Sequence, residues 1–178
     1  MKTLHHYVIM AIMLVIIILL AFKLNNTEKK SRKILLDKNI TYVFSTDSLK
    51  RYSFPTHIND LVIDRQHSVT SEVFMVIGEP GKSVIHHKHD DTEQIFYIIE
   101  GTGTLHIGPD KHPYPVKPGN IVRIPPHTLH SIKTDSEQPI KYLCVDCFIG
   151  KPLENTWDEH VQAVCKKNRW NYNEVIEK

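Results

Sequence analysis

From Thr41 to Ile149 the chain is a succession of short apolar, β-branched and aromatic runs, each closed by a turn signal. The runs are Leu61–Ile63, Glu72–Ile77, Ser83–His86, Gln94–Ile99, Gly103–Ile107, Asn120–Ile124, His130–Ile132 and Ile140–Phe148. Gly78-Glu79-Pro80-Gly81, Glu100-Gly101, Gly108-Pro109-Asp110 and Pro118-Gly119 separate them, and Gly108 to Lys111 reads as a hairpin tip. Many short strands at such spacing predict an all-β sandwich or barrel. Beyond them, Thr156 followed by Glu159 is a capping-box pattern. It opens a helix from Trp157 to about Lys167, whose Val161, Val164 and Cys165 share a face that can pack on the barrel. No internal repeat is evident.

The N-terminus has a different character. Tyr7 to Phe22 is unbroken apolar sequence, spanning about 24 Å as a helix at ~1.5 Å per residue. A bilayer core is ~30 Å thick, so the run is slightly short for a span, yet long for the core of a signal peptide. Lys23 on one side and Lys2, His5 and His6 on the other can snorkel and extend it. Leu20-Ala21-Phe22 makes a poor cleavage site. The expectation is an uncleaved single-pass signal-anchor over residues 1–24, with a membrane location, or a secreted or periplasmic product if the segment is cleaved. Lys23, Lys29, Lys30, Arg32 and Lys33 favour a cytoplasmic C-terminal domain by the positive-inside rule. The short N-terminal tail favours the opposite side, so the side stays open. Asn25-Asn26-Thr27 and Asn39-Ile40-Thr41 match the glycosylation sequon, which matters only on a eukaryotic secretory route. Residues 25–40 are polar and lysine-rich and read as a linker. Residues 41–150 then form the barrel and 151–178 a helical extension.

The formal net charge of +2 leaves no electrostatic footprint for nucleic acid. The three cysteines do not suggest a disulfide framework. Cys144 and Cys147 lie in one strand-like run and point to opposite faces, so they read as structural rather than bonded to each other. No GxSxG, P-loop or GxGxxG is present.

Histidines carry the chemistry. His87-Lys88-His89 puts two imidazoles on one face of a strand by its period of two. With His130 from a distant strand and an oxygen donor from Gln94 or Glu93, they make a first shell for a divalent metal. His86 has the opposite parity and points away. His5, His6, His57, His67, His106, His112 and His160 read as ordinary surface or core histidines, and Asp90 and Asp91 as a solvated loop. Phe96 and Tyr97 read as barrel packing.

Gly81 to Gly101 resembles the first motif of the cupin superfamily: a glycine, five residues, His-x-His, three or four residues, a glutamate, six residues and a glycine. Gly119 to His130 resembles the second: a glycine, five residues, Pro-x-Gly, two residues and a histidine. The resemblance covers about Leu61 to Phe148 and implies a double-stranded β-helix, or jelly-roll, barrel, here between an N-terminal hydrophobic helix and a short C-terminal helix. There are three departures. Counting back from Gly101 lands the glutamate position on Gln94, while counting on from His89 lands it on Glu93. Strand neighbours face opposite sides, so at most one joins the imidazoles. Gln94 is favoured because its strand is in register with Gly101 while the turn can absorb a residue. His127 replaces the glycine of the second motif and reads as a turn residue close enough to serve as a pocket acid or base. Thr134 replaces the usual asparagine.

Glutamate would lower the net charge of a bound dication to +1, whereas glutamine leaves it at +2 and makes a stronger Lewis acid. Three histidines and an oxygen suit iron, manganese, nickel, copper or zinc. Neutral imidazole is the ligand, so occupancy falls below about pH 6. The resemblance implies metal-dependent chemistry, most often that of a dioxygenase acting on a small organic substrate. A non-catalytic small-ligand or sensor cupin at a membrane is the alternative. No catalytic residue is assigned, no acid–base pair for an isomerase or epimerase is evident, and no helix-turn-helix accompanies the barrel. Homodimerisation is a further implication of the resemblance.

Overall fold

The computed structural model describes residue 10 and residues 12–26, 40–135 and 137–176. The chain divides into two units, Met1–Val43 and Phe44–Lys178. In the first, residues 12–26 are helical (α1) and their apolar side chains from Ile12 to Leu24 are exposed.

Among the described residues no helix is long and apolar enough to cross a membrane. This overturns the expected single-pass anchor, and with it the membrane location. At ~1.5 Å per residue α1 spans about 22 Å against a ~30 Å bilayer core, and its last turn carries the polar Lys23, Asn25 and Asn26. The flanking Lys2, His5, His6 and Tyr7, most of the linker, and Thr27 and Asn39 of the two sequons lie outside the described residues.

The second unit is the expected jelly roll. Nine strands run Lys50–Ser53 (β1), Ile58–Ile63 (β2), Ser71–Gly78 (β3), Thr92–Glu100 (β4), Gly103–Ile107 (β5), His112–Val116 (β6), Ile121–Ile124 (β7), His130–Thr134 (β8) and Ile140–Phe148 (β9). They form a six-stranded sheet, β1-β2-β3-β9-β4-β7, and a three-stranded sheet, β6-β5-β8. The pleat sends alternate residues inward. On β3 these are Glu72, Phe74 and Val76, on β4 Gln94, Phe96 and Ile98, and on β9 Ile140, Tyr142, Cys144 and Asp146. The apolar members of these sets form the core with Ile124 and Ile132, each stabilising the fold by roughly 1.5–3 kcal/mol.

Two strands escaped the sequence reading, and both are edge strands. β6 contains Pro113 and Pro115, tolerated because an edge strand leaves one row of amides unpaired. Conversely, Ser83–His86 is not a strand. That segment and His87 after it pair with β8 through isolated bridges rather than a ladder, Ser83 to Lys133 and His87 to His130. The histidine pair is therefore presented by an extended loop rather than by a strand face. Gly101 holds the register between the two motifs: its φ is +71°, and a Cβ there would collide with the backbone of Pro139 and Ile140.

The C-terminal helix forms as expected, Trp157–Asn168 (α2), with Thr156 accepting from the Glu159 N–H. The return bond of the capping box goes to the Asn155 N–H instead. Val161 and Cys165 are buried, and Trp157 packs on Phe74 with ring centroids 4.3 Å apart. A short helix, Tyr172–Ile176 (α3), follows. Asp158 ties the helix to β1 through Lys50 Nζ at 2.8 Å and Tyr52 Oη at 3.1 Å.

Candidate metal centre

His87 and His130 exchange backbone hydrogen bonds, 2.9 Å from the His87 N–H and 2.7 Å from the His130 N–H. This two-bond bridge fixes the loop against the start of β8. The carbonyl of His89 accepts from the His127 N–H, so the whole His-x-His segment is held against the second motif. One side-chain nitrogen from each of His87, His89 and His130 then lies within 4.8 Å of the others.

The tautomers follow from hydrogen bonding. His87 Nδ1 donates to the Ile85 carbonyl at 2.7 Å, and His130 Nδ1 donates to the Thr128 carbonyl at 2.9 Å. A carbonyl only accepts, so in each neutral ring the proton sits on Nδ1 and Nε2 keeps its lone pair. His87 Nε2 lies 3.1 Å from His89 Nε2, and His130 Nε2 is buried without a partner. Burial is also the main reason that all three rings favour the neutral form. It lowers His87, and with repulsion from His87 it pushes His89 down to about 3 and His130 down to about 4. Three neutral imidazoles with converging lone pairs are the donor set a divalent ion takes.

Gln94 and Glu93 occupy opposite faces of β4. Glu93 points outward and pairs with Arg123 at 2.6 Å. Gln94 is buried and lines the same cavity as the three histidines. Its Nε2 donates to Asp146 Oδ1 at 2.8 Å, and its Oε1 is buried without a partner. A carboxylate accepts, so it takes the NH2 end of the amide and leaves the oxygen for the cavity. Asp146 also accepts from the Cys144 thiol at 3.2 Å. Burial nonetheless raises its carboxyl to about 6. Two orphaned buried acceptors, His130 Nε2 and Gln94 Oε1, beside two further imidazoles fit a cation.

The other named residues fall elsewhere. His86 bonds to Ser131 Oγ and the Gly108 carbonyl. His127 is exposed, bonds to Asp90 and sits at φ +63°, a conformation that explains the family's glycine at this position. Cys144 and Cys147 are free, the first buried and the second half-buried.

The cavity has a volume of about 520 Å3, within the usual range for small-molecule sites. Sequence reasoning missed several residues of its wall. Asp146, His57, Asn59, Trp157, His160 and Trp170 all line it. His160 stacks on Trp157 with centroids 5.0 Å apart. A Trp and a His three residues apart on one helix share a face, and that was the available signal.

A family model described as "Cupin domain" matches residues 74–146. Those residues are a cupin domain. The flanking strands β1 and β2 and the helices α2 and α3 extend it. Over 64 residues, 36% of this chain, the sequence is 39% identical to an uncharacterized protein of Methanocaldococcus jannaschii. The matched part spans half the length of that curated relative. Among solved structures, an uncharacterized protein with a double-stranded β-helix domain from Klebsiella pneumoniae is 21% identical, with a TM-score of 0.54 over 63% of this chain and 94% of that one. A predicted oxalate decarboxylase from Thermotoga maritima is 20% identical, with a TM-score of 0.54 over 60% of this chain and 98% of that one. Likenesses at this identity establish the fold and leave the chemistry to this chain's own residues.

Proposed function

We propose that the cupin barrel holds one divalent metal ion on Nε2 of His87, His89 and His130, with Gln94 Oε1 as oxygen donor, and acts on a small organic molecule in the same cavity. Metal-dependent dioxygenase chemistry is the reaction class. The observation that carries the reading is the convergence of three neutral imidazoles on a buried point where His130 Nε2 has no partner. The bound ion would supply Lewis acidity and sites for substrate and dioxygen. The protein's part is positioning. The Ile85 and Thr128 carbonyls lock two ring tautomers, and Asp146 orients the Gln94 amide and adds negative charge one bond behind it. The apolar side chains of the cavity wall lower the local polarity around the site, which strengthens polar interactions inside.

Elemental analysis of the purified full chain tests this. About one transition-metal ion per chain is expected, with a melting temperature that rises on adding the metal to chelator-treated protein. His130→Ala should lose both. A chain that binds no metal and gains no stability from it contradicts the proposal. Metal binding without oxygen consumption across a panel of small organic substrates would leave a ligand-binding module as the function.

A further inference from the structure

Among the described residues four buried side-chain polar atoms lack a hydrogen-bond partner: Asn59 Oδ1, Gln94 Oε1, His130 Nε2 and Trp157 Nε1. All four residues line the one cavity. A metal ion accounts for two of them. It cannot account for Trp157 Nε1–H, which only donates, and Asn59 lies on β2, outside the two segments that carry the histidines and Gln94. Asn59 and Trp157 are only 7% and 6% exposed, and leaving such groups unpaired is costly.

The two belong to one end of the cavity. Asn59 pairs in register with Val76 on β3, two residues along the same inward face from Phe74, on which Trp157 packs. Phe54 and Trp170 continue that wall, with ring centroids 5.9 Å apart. The surroundings favour a neutral group there. Glu72, inward on β3 and fully buried, is held by Arg65 through two 2.7 Å bonds. Arg65 also reaches Glu154, so its charge is committed. Asp146 is buried nearby on β9. Burial pushes the His57 ring down to about 3 and lowers that of His160, so both stay neutral. Lys167 lines the cavity but acts on His87, at the histidine end. An anion at the tryptophan end would face the buried Asp146 carboxyl of the cavity wall, with the Glu72 carboxyl behind it already paired to Arg65. One acceptor and one donor on an aromatic wall match a hydroxyl, which donates and accepts at once.

We propose that this end of the cavity binds the neutral hydroxyl of a small phenol, which donates to Asn59 Oδ1 and accepts from Trp157 Nε1–H while its ring lies among Phe54, Phe74 and Trp170. The proposal deepens the function above by naming a substrate class for the same cavity. The subsite itself stands without the ion.

The chain has two tryptophans, and both line the cavity, so indole N–H resonances report on it directly. The 15N-labelled full chain, chelator-treated and separately zinc-loaded, is titrated with phenol and with toluene, which has a methyl group in place of the hydroxyl. Trp170→Phe assigns the Trp157 signal. Phenol should bind saturably in both forms, roughly tenfold tighter than toluene, and move the Trp157 indole N–H downfield. Asn59→Ala should reduce that preference to about twofold or less. Equal binding of phenol and toluene, no binding of phenol, or phenol binding with an unmoved Trp157 signal overturns the proposal. Zinc content is measured on the same samples. A phenol preference in a chain that takes no zinc supports the subsite and removes only the metal reading, while zinc uptake without the preference removes only the subsite.

Discussion

The two ends of the cavity are built in different ways. The histidine end comes from two contiguous segments, Gly81–Gly101 and Gly119–His130, held together by the backbone bridge between His87 and His130. The aromatic end is assembled from Phe54 to Asn59 on one side and Trp157 to Trp170 on the other, about a hundred residues away in sequence. The first end is a matter of local spacing and the second of tertiary packing. A chain can therefore hold its metal position constant while the far wall changes what is bound.

The largest effect that tests this division is on stability. Trp157→Ala removes an aromatic that packs on both Phe74 and Tyr52, and it should cost about 3–5 kcal/mol in denaturant unfolding. Metal stoichiometry of the folded fraction should stay unchanged. Loss of metal together with stability would show that the two ends are one unit.

Next comes Asp146→Ala, which frees the Gln94 amide without touching a histidine. Metal affinity should fall about 10- to 100-fold, read by competition with a chelator of known strength. Gln94→Ala should lose a similar amount, and the double variant little more, because the two act through one bond.

The metal-free chain should also depend on pH. Burial, followed by repulsion from His87, pushes His57 and His89 down to about 3 and His130 down to about 4, against ~6.5 in the unfolded chain. Their contribution is fully present above pH 6.5. It is lost as pH falls toward 4 and 3, because the unfolded chain takes up protons that the fold refuses. The unfolding free energy should decline across that window by up to ~1.4 kcal/mol per pH unit per histidine. His57→Gln should flatten the decline. A decline that is equally steep in this variant would exclude His57 as a contributor.

Smallest is Glu93→Ala. Its partner Arg123 is exposed on the outer face, so stability should move by less than about 0.5 kcal/mol and metal content not at all. Metal loss here would reverse the assignment of the two faces of β4.

Much of the histidine end was legible in the sequence, and the reason is geometric. Gly101 requires a positive φ and a close approach to Pro139, and that fixed point sets the parity of β4, inward at Gln94 and outward at Glu93. The strand expected for His87 and His89 did not form, yet the bridge to His130 brings the rings together. Asp146 was not legible, since its role depends on the β4–β9 register that sets it opposite Gln94. The aromatic end was not legible either. Nothing local in Asn59 or Trp157 says that their polar atoms will be buried unpaired. The N-terminal run misled because snorkelling flanks were counted as extending an apolar run already slightly short of a bilayer, whereas no described helix is long and apolar enough to cross one.

The most direct test of the central claim is a two-dimensional 15N–1H spectrum of the histidine side chains, recorded on the full chain before and after one equivalent of zinc. Of the twelve histidines, His87 and His130 should already be Nδ1–H tautomers, and zinc should shift the Nε2 signals of His87, His89 and His130 alone. Unchanged Nε2 signals at these three residues, or shifts at other histidines instead, would contradict the account.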